Sequence, residues 1–101
     1  MRKITKEACR AFHENRPYKK DNTEVTVIQD FNGNIVGANM YLFGNRIATK
    51  ENNHILINFQ GYNTVTTRER LNGLSNVSFT SKRNKLYMDG VEISSYQWHV
   101  I

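Results

Sequence analysis

Cys9 is the only cysteine of the sequence, and His13 follows it four residues later. If both residues lie in a helix, this spacing places them on neighbouring turns, where an imidazole could activate a thiol. A catalytic thiol, however, is normally found in a pocket at the end of an element. We therefore expect Cys9 to be a half-buried helix residue, and we expect no catalytic pair with His13.

The other groups that could bind a metal or exchange protons are scattered along the chain. The histidines lack the short spacing of a zinc site, since they stand far apart at His13, His54 and His99. Several carboxylates stand beside turn residues, and turn chemistry accounts for them better than acid/base pairing does: Asp30, Glu51 and Asp89. The six glycines form no phosphate-binding pattern. We therefore predict no catalytic residues, no metal and no cofactor, and a protein that is not an enzyme.

The positive charge of the chain is concentrated in its first twenty residues. The chain contains 14 Lys and Arg against nine Asp and Glu, a formal net charge of +5. Residues 1–20 contain seven of these bases and two of the acids, so residues 21–101 are neutral as a whole. A basic surface favours an anionic partner. Lys6 and Arg10 are our candidate partner-binding residues in this segment, although the same charges could serve solubility alone.

A second candidate surface lies in the segment around residues 61–71. Arg68 and Arg70 stand at the start of a short predicted helix, where they could meet phosphates or an acidic protein surface. Tyr62 nearby could stack on a base or insert into a partner. The alternatives are a solvated helix face for the arginines, which do not share a face, and a tyrosine that closes over the core.

The N-terminal segment has the apolar spacing of a helix. Residues 4–15 repeat apolar side chains at i, i+4, i+7 and i+8, Thr5 is available as a cap, and Pro17 ends the pattern. The opposite side of this helix is basic: Lys3, Lys6, Arg10 and His13. A narrow apolar stripe indicates that the helix must dock on another element.

From residue 24 onwards the period changes to that of strands separated by turns. We predict four strands before residue 60, with turns at Asn32-Gly33, Gly44-Asn45 and Asn52-Asn53. Gly37 inside the second of these strands indicates a bulge or the close approach of another backbone. Later strands are predicted near 77–80, 85–88 and 91–93, with a hairpin turn at Asp89-Gly90, and the tail 96–101 is predicted as an edge strand or an ordered extension.

A short helix is predicted between these two sets of strands. Thr66 and Glu69 have the spacing of a capping box, and Gly73 is a residue preferred after a helix C-terminus. The predicted fold class is therefore α+β: an N-terminal helix packed on an antiparallel meander sheet of about five to seven strands, with a short helix near residues 66–73.

Composition limits the remaining possibilities. A chain of 101 residues with 39% hydrophobic side chains is expected to form a single domain over residues 1–101. One cysteine excludes an intramolecular disulfide. No apolar run has the length of a membrane span, and the first residues lack the hydrophobic segment of a signal peptide, so we expect a cytoplasmic protein without a membrane partner.

Two segments resemble a known class of sequence. Tyr41–Ala48 (YLFGNRIA) and Gly61–Leu74 (GYNTVTTRERLNGL) look like the pattern of small uncharacterised proteins encoded by tailed bacteriophages, and Met1–Ala11 and Leu86–Gly90 are similar in style. The resemblance implies a phage accessory protein that acts in the host cytoplasm by binding host machinery, including CRISPR and other defence complexes. It implies no catalytic residues.

Two functions from different classes follow. The first is an anti-CRISPR type inhibitor that binds a host protein or ribonucleoprotein complex through Tyr62, Arg68, Arg70, Lys6 and Arg10. The second is a sequence-independent nucleic-acid-binding protein that uses the basic N-terminal helix. No recognised nucleic-acid-binding motif is present. A homodimer through the last strand is compatible with both, because a meander leaves sheet edges open.

Overall fold

The computed structural model describes all 101 residues of the chain. Two helices and nine strands follow one another along it. In chain order they are α1 (Lys3–His13), β1 (Tyr18–Lys20), β2 (Thr23–Gln29), β3 (Ile35–Leu42), β4 (Asn45–Glu51), β5 (His54–Ile57), α2 (Val65–Asn72), β6 (Phe79–Lys82), β7 (Lys85–Met88), β8 (Val91–Ile93) and β9 (His99–Val100).

The strands form two antiparallel sheets. One has six strands in the order β1-β2-β3-β4-β5-β9, and the other has three in the order β6-β7-β8. The predicted α+β fold, with an N-terminal helix on an antiparallel meander, is confirmed. Of the predicted tail 96–101, only His99–Val100 forms an edge strand, in which Val100 pairs with Leu56 of β5. The sequence pattern does not predict the division into two sheets, because the choice of strand partner depends on packing between distant segments.

Helix α1 packs on the six-stranded sheet through its apolar stripe. Ala8, Ala11 and Phe12 are fully buried and belong to one core cluster with Val25 of β2 and Met40 of β3. The predicted basic side is exposed to solvent: Lys3, Lys6, Arg10 and His13. The three-stranded sheet joins the same core, since the ring of Phe79 packs edge-to-face on that of Phe59 with centroids 5.2 Å apart.

The C-terminal end of α1 is satisfied by a lysine from the sheet. Lys50 of β4 is only 8% exposed, and its Nζ donates to the carbonyl of His13 at 2.8 Å. The same ammonium lies 5.5 Å from the centre of the Phe12 ring. Burial lowers the pKa of Lys50. A cation at this place complements the negative end of the helix, so Lys50 ties α1 to the sheet.

Both predicted helix N-caps are wrong, whereas Gly73 follows the end of α2 as predicted. Thr5 lies inside α1, which begins at Lys3, and it is fully buried. Helix α2 is capped by Thr64 instead of Thr66, since the Thr64 hydroxyl accepts the N–H of Thr67 at 3.2 Å. The capping box does not form because the carboxylate of Glu69 contacts α1 instead.

The hairpin turns use left-handed backbone conformations. Asn52-Asn53 and Asp89-Gly90 have positive φ at both residues, as type I′ turns require. The predicted Gly44-Asn45 turn is shifted by one residue to Phe43-Gly44, with φ of 50° and 80°. The Asn32-Gly33 pair is not a type I′ turn, since only Gly33 has a positive φ.

Strand β1 is not among the strands that the sequence pattern predicts. Tyr18–Lys20 is short and contains two exposed lysines, so it carries no alternating pattern.

The absence of a side chain at Gly37 lets β3 and β4 approach each other closely. A Cβ atom at Gly37 would lie 1.8 Å from the carbonyl oxygen of Lys50, which confirms the predicted close approach. Neither helix is long and apolar enough to cross a membrane.

We expect Gly37→Ala to lower the free energy of unfolding by about 3 kcal/mol, because the methyl group would displace the backbone of β4. Gly33→Ala is the matched control: a Cβ there meets no atom within 4 Å, but φ is +83°. The control should lose only about 1 kcal/mol. Urea denaturation of both variants measures the difference between the two losses of stability. Equal losses would show that the close approach of β4 at Gly37 does not cause the destabilisation.

Candidate interaction surface

Arg70 is the most deeply buried charged side chain of the protein. It is 1% exposed and stands on α2. Its Nε donates to the hydroxyl of Thr23 at 3.1 Å, and its Nη1 donates to the hydroxyl of Thr5 and to Glu69 Oε1. Its Nη2 lies 3.5 Å from Asn22 Oδ1. The guanidinium therefore links α2 to α1 and to the turn between β1 and β2.

The carboxylate of Glu69 completes this cluster. Its Oε1 accepts from Thr5, from Arg70 at 2.9 Å and from Arg2 Nε at 3.0 Å. The hydrogen bond from Thr5, followed by that from Arg2, holds the pKa of Glu69 below its usual value. Burial lowers the pKa of Arg70, and the charge of Arg2 adds to this effect, whereas Glu69 opposes it. A buried cation with every side satisfied is a structural group.

The expectation that Arg70 lies on the surface is therefore wrong, and a partner cannot reach its guanidinium in this fold. The reason is that short polar residues of three elements, Thr5, Asn22 and Thr23, converge on the position that the side chain occupies. No local sequence pattern signals this convergence, because the residues are far apart along the chain.

Arg68 has a different environment from Arg70. It is partly exposed, and its Nη1 donates to Asn63 Oδ1 at 2.6 Å and to the Asn63 carbonyl at 3.2 Å. Asn63 Nδ2 in turn donates to Ser81 Oγ at 3.1 Å, which joins the start of α2 to strand β6. Tyr62, the residue before Asn63, is 56% exposed and does not close over the core. Arg68 and Tyr62 thus remain candidate contact residues.

The candidate residues on α1 are exposed but differ in charge balance. Lys6 makes no ion pair, whereas Arg10 Nε lies 3.2 Å from Glu14 Oε2, and Arg16 lies 3.1 Å from the same carboxylate. The basic side of α1 is thus partly neutralised by an acid on its own chain segment. Lys6 and Arg10 are not brought close to Arg68 by any contact in the structure.

Cys9 and His13 do not form a pair. The Cys9 thiol is buried, and its Sγ lies 3.4 Å from the carbonyl oxygen of Arg70. Burial raises the pKa of Cys9 to about 11, so little of it is thiolate at neutral pH. The His13 ring instead packs edge-on against Phe12 at the exposed end of α1.

Exposed aromatic side chains collect at one end of the six-stranded sheet. Phe43 and Tyr62, 71% and 56% exposed, line one groove of about 350 Å³ whose floor includes Leu42 and Ile47. Next to it, the ring of Tyr96 packs on Gly61, where a Cβ would lie 2.7 Å from the ring. We call the four aromatic residues of this end the aromatic surface: Phe43, Tyr62, Tyr96 and Trp98.

Arg46 connects β4 to the part of the aromatic surface that contains Trp98, and Gln60 contacts Arg46. The guanidinium of Arg46 lies 5.1 Å from the centre of the Trp98 ring, in cation–π geometry. Gln60 Nε2 donates to the carbonyl of Arg46 at 2.8 Å, which joins the loop after β5 to strand β4. Of this surface, sequence reasoning found Tyr62 only. The signal for Phe43 was its place directly before Gly44, where an apolar side chain is unusual.

We expect Arg70→Lys to lower the free energy of unfolding by about 2 to 4 kcal/mol, because an ammonium cannot reach the partners on both helices and the first hairpin. Arg68→Lys is the matched control and should change stability by less than about 0.5 kcal/mol, since its site is partly open to water. Urea denaturation of both variants provides the comparison. Similar stability of the two variants would contradict a structural role for Arg70.

The depressed pKa of Glu69 predicts a pH-dependent contribution to stability. Because the folded pKa lies below the unfolded value of about 4.5, the ionised carboxylate stabilises the fold above that pH. This contribution is lost as the pH falls through the folded pKa. Glu69→Gln should therefore be less stable than the parent protein at pH 7, and the gap should narrow below about pH 4.5. Urea denaturation between pH 7 and pH 2.5 measures the gap, and a constant gap would exclude the ionised form as its origin.

Comparison with known proteins places the chain in a phage family. The family model described as "Kyanoviridae Gp96 protein" matches residues 1–100. Neither the curated proteins nor the solved structures contain a significant match. The resemblance to tailed-phage proteins is thus supported at the level of a phage protein. This chain belongs to the Kyanoviridae Gp96 protein family.

Proposed function

We propose that this phage protein acts without catalysis, by binding a host protein complex through the aromatic surface and so blocking it. A defence complex of the CRISPR type is the target class that the resemblance to phage accessory proteins implies. The surface would serve as the apolar centre of the interface, and the neighbouring cations Arg46 and Arg68 would lie at its edge.

The main observation that supports this proposal is the exposure of Phe43 at a turn position with positive φ. Phe43 occupies the first position of a type I′ turn with φ of 50°, and its side chain is 71% exposed. A bulky residue at positive φ is strained, and Asn followed by Gly is the pair that this turn prefers. The other two-residue hairpin turns of this chain with positive φ at both residues all begin with a polar residue: Asn52-Asn53, Arg83-Asn84 and Asp89-Gly90. A strained and exposed phenylalanine has a reason to be present if a partner covers it.

The composition of the surface also fits a protein partner. Aromatic residues and arginine are enriched at protein–protein interfaces, and a few aromatic anchors provide most of the binding energy. Phe43, Tyr62 and Tyr96 are all more than half exposed, and Arg46 lies over Trp98. Exposed aromatic side chains grouped at one end of a sheet are typical of interaction sites on soluble proteins.

The test is capture of partners from host lysate by the tagged protein, with and without nuclease, with Phe43→Asn compared to the parent. The substitution removes the ring and creates an Asn-Gly turn, so the variant should unfold at the same or a higher temperature. We expect the parent to retain a protein complex after nuclease treatment. Phe43→Asn should retain at least about tenfold less, as for an aromatic anchor.

Phe31→Asn is the matched control for this test. Phe31 is fully exposed in the loop before β3, whereas Phe43 follows the end of the same strand. Eight residues of strand separate the two by about 26 Å. The control should bind like the parent. Unchanged capture by Phe43→Asn would contradict the proposal, and loss of all partners with nuclease would favour the alternative, direct nucleic-acid binding.

A further inference from the structure

The tip of the β6–β7 hairpin concentrates positive charge. Lys82, Arg83 and Lys85 stand within four residues, all are exposed, and none makes an ion pair. Lys82 lies directly opposite Lys85 in the antiparallel register. Like charges in that position repel each other, so this hairpin end lacks internal compensation.

Arg68 adds a fourth cation to the tip. The hydrogen bonds from Arg68 to Asn63 and from Asn63 to Ser81 tie its guanidinium to the residue that precedes Lys82. Only Nη1 is engaged there, so the remaining donors of Arg68 are unpartnered. We call this group the basic tip: Arg68, Lys82, Arg83 and Lys85.

No carboxylate forms an ion pair with the basic tip, although Glu92 of β8 stands opposite Tyr87, two residues along β7 from Lys85. Asp89 stands at the far end of β7, four residues from Lys85, a distance of about 14 Å along the strand. This exceeds the Debye length of about 8 Å at physiological salt. Glu69, the only acid of α2, is turned toward α1 and accepts from Arg2, Thr5 and Arg70.

We propose that the basic tip binds the phosphate backbone of a nucleic acid. Apart from the cations, the exposed residues of the hairpin end carry hydroxyl and amide groups: Thr80, Ser81 and Asn84. Protein interfaces need an apolar centre, whereas phosphate contacts are made by cations, hydroxyls and amides without one. The turn places Arg83 and Asn84 at positive φ, which fixes the direction of the tip. We therefore assign the nucleic-acid contact to this hairpin and not to α1, where Arg10 is paired with Glu14.

The test is fluorescence anisotropy with a labelled 30-base-pair DNA duplex and a labelled 30-nucleotide single strand of mixed sequence, at roughly 50 to 200 mM salt. The tip variant combines Lys82→Gln, Arg83→Asn and Lys85→Gln, and it leaves an Asn-Asn pair in the turn, as in the β4–β5 hairpin. The control variant combines Lys3→Gln, Lys6→Gln and Lys20→Gln. It removes the same number of charges from the N-terminal segment.

We expect the tip variant to bind at least about tenfold more weakly at 50 mM salt, and the control to change affinity by less than about threefold. Four phosphate contacts predict a slope of log affinity against log salt of about −3.6 for the duplex and about −2.8 for the single strand. In the tip variant the salt dependence should be weaker, with a slope between about −0.9 and zero.

Three results would overturn the proposal: no binding by the parent protein, an equal loss in the control variant, or equally strong binding of a labelled polyglutamate peptide. The last result would assign the tip to an acidic protein surface. Phe43→Asn should bind both DNA probes like the parent, so failure at the tip and failure at the aromatic surface are distinguishable.

Discussion

A guanidinium can be buried only when its donors meet acceptors on all sides, and in this protein that requirement fixes the arrangement of three elements. Arg70 reaches Thr5 of α1, Thr23 at the start of β2 and Glu69 of its own helix. Its own carbonyl oxygen faces the thiol of Cys9. Gly73 permits this proximity, since a Cβ there would lie 2.8 Å from the Cys9 sulphur. The two helices and the first hairpin therefore have one relative position in which the cation is satisfied.

The same cluster is connected to the aromatic surface. Asn22 places its side-chain oxygen near Arg70, and its carbonyl accepts the N–H of Phe43 at 2.8 Å. The strained turn that carries Phe43 is thus attached to the turn that the buried arginine holds in place. Strain at a surface residue persists only where the surrounding structure is rigid enough to maintain it. A rigid surface loses little conformational entropy on binding, which favours a role in recognition.

Local pattern predicted the parts of the fold that depend on neighbours in sequence. The apolar stripe of α1, the strand Lys85–Met88 and the turn Asp89-Gly90 follow from periods of 3.6 and 2 and from turn chemistry. The close approach at Gly37 was also predictable, since a glycine inside an apolar strand often marks a place where another backbone comes near. What the sequence left open is the pairing of distant segments, and with it the division of the strands into two sheets.

The candidate site was harder to predict for the same reason. Arg68 and Arg70 look alike in sequence, yet one is buried by residues more than forty positions away and the other is held at the surface by Asn63. Charge counting placed the positive surface in residues 1–20, whereas pairing within α1 and the grouping of Arg68 with the β6–β7 turn change that distribution. Phe43 became informative only once its exposure and its backbone angle were known together.

Site-specific photo-cross-linking tests whether a host protein covers the end of the sheet where Phe43 lies. A photoreactive phenylalanine analogue replaces Phe43 or, for comparison, Phe31, and the protein is irradiated in host extract. We expect one discrete protein adduct from position 43 that survives nuclease treatment, and no such adduct from position 31. Adducts of equal yield from both positions, or none from position 43, would contradict protein binding at this surface.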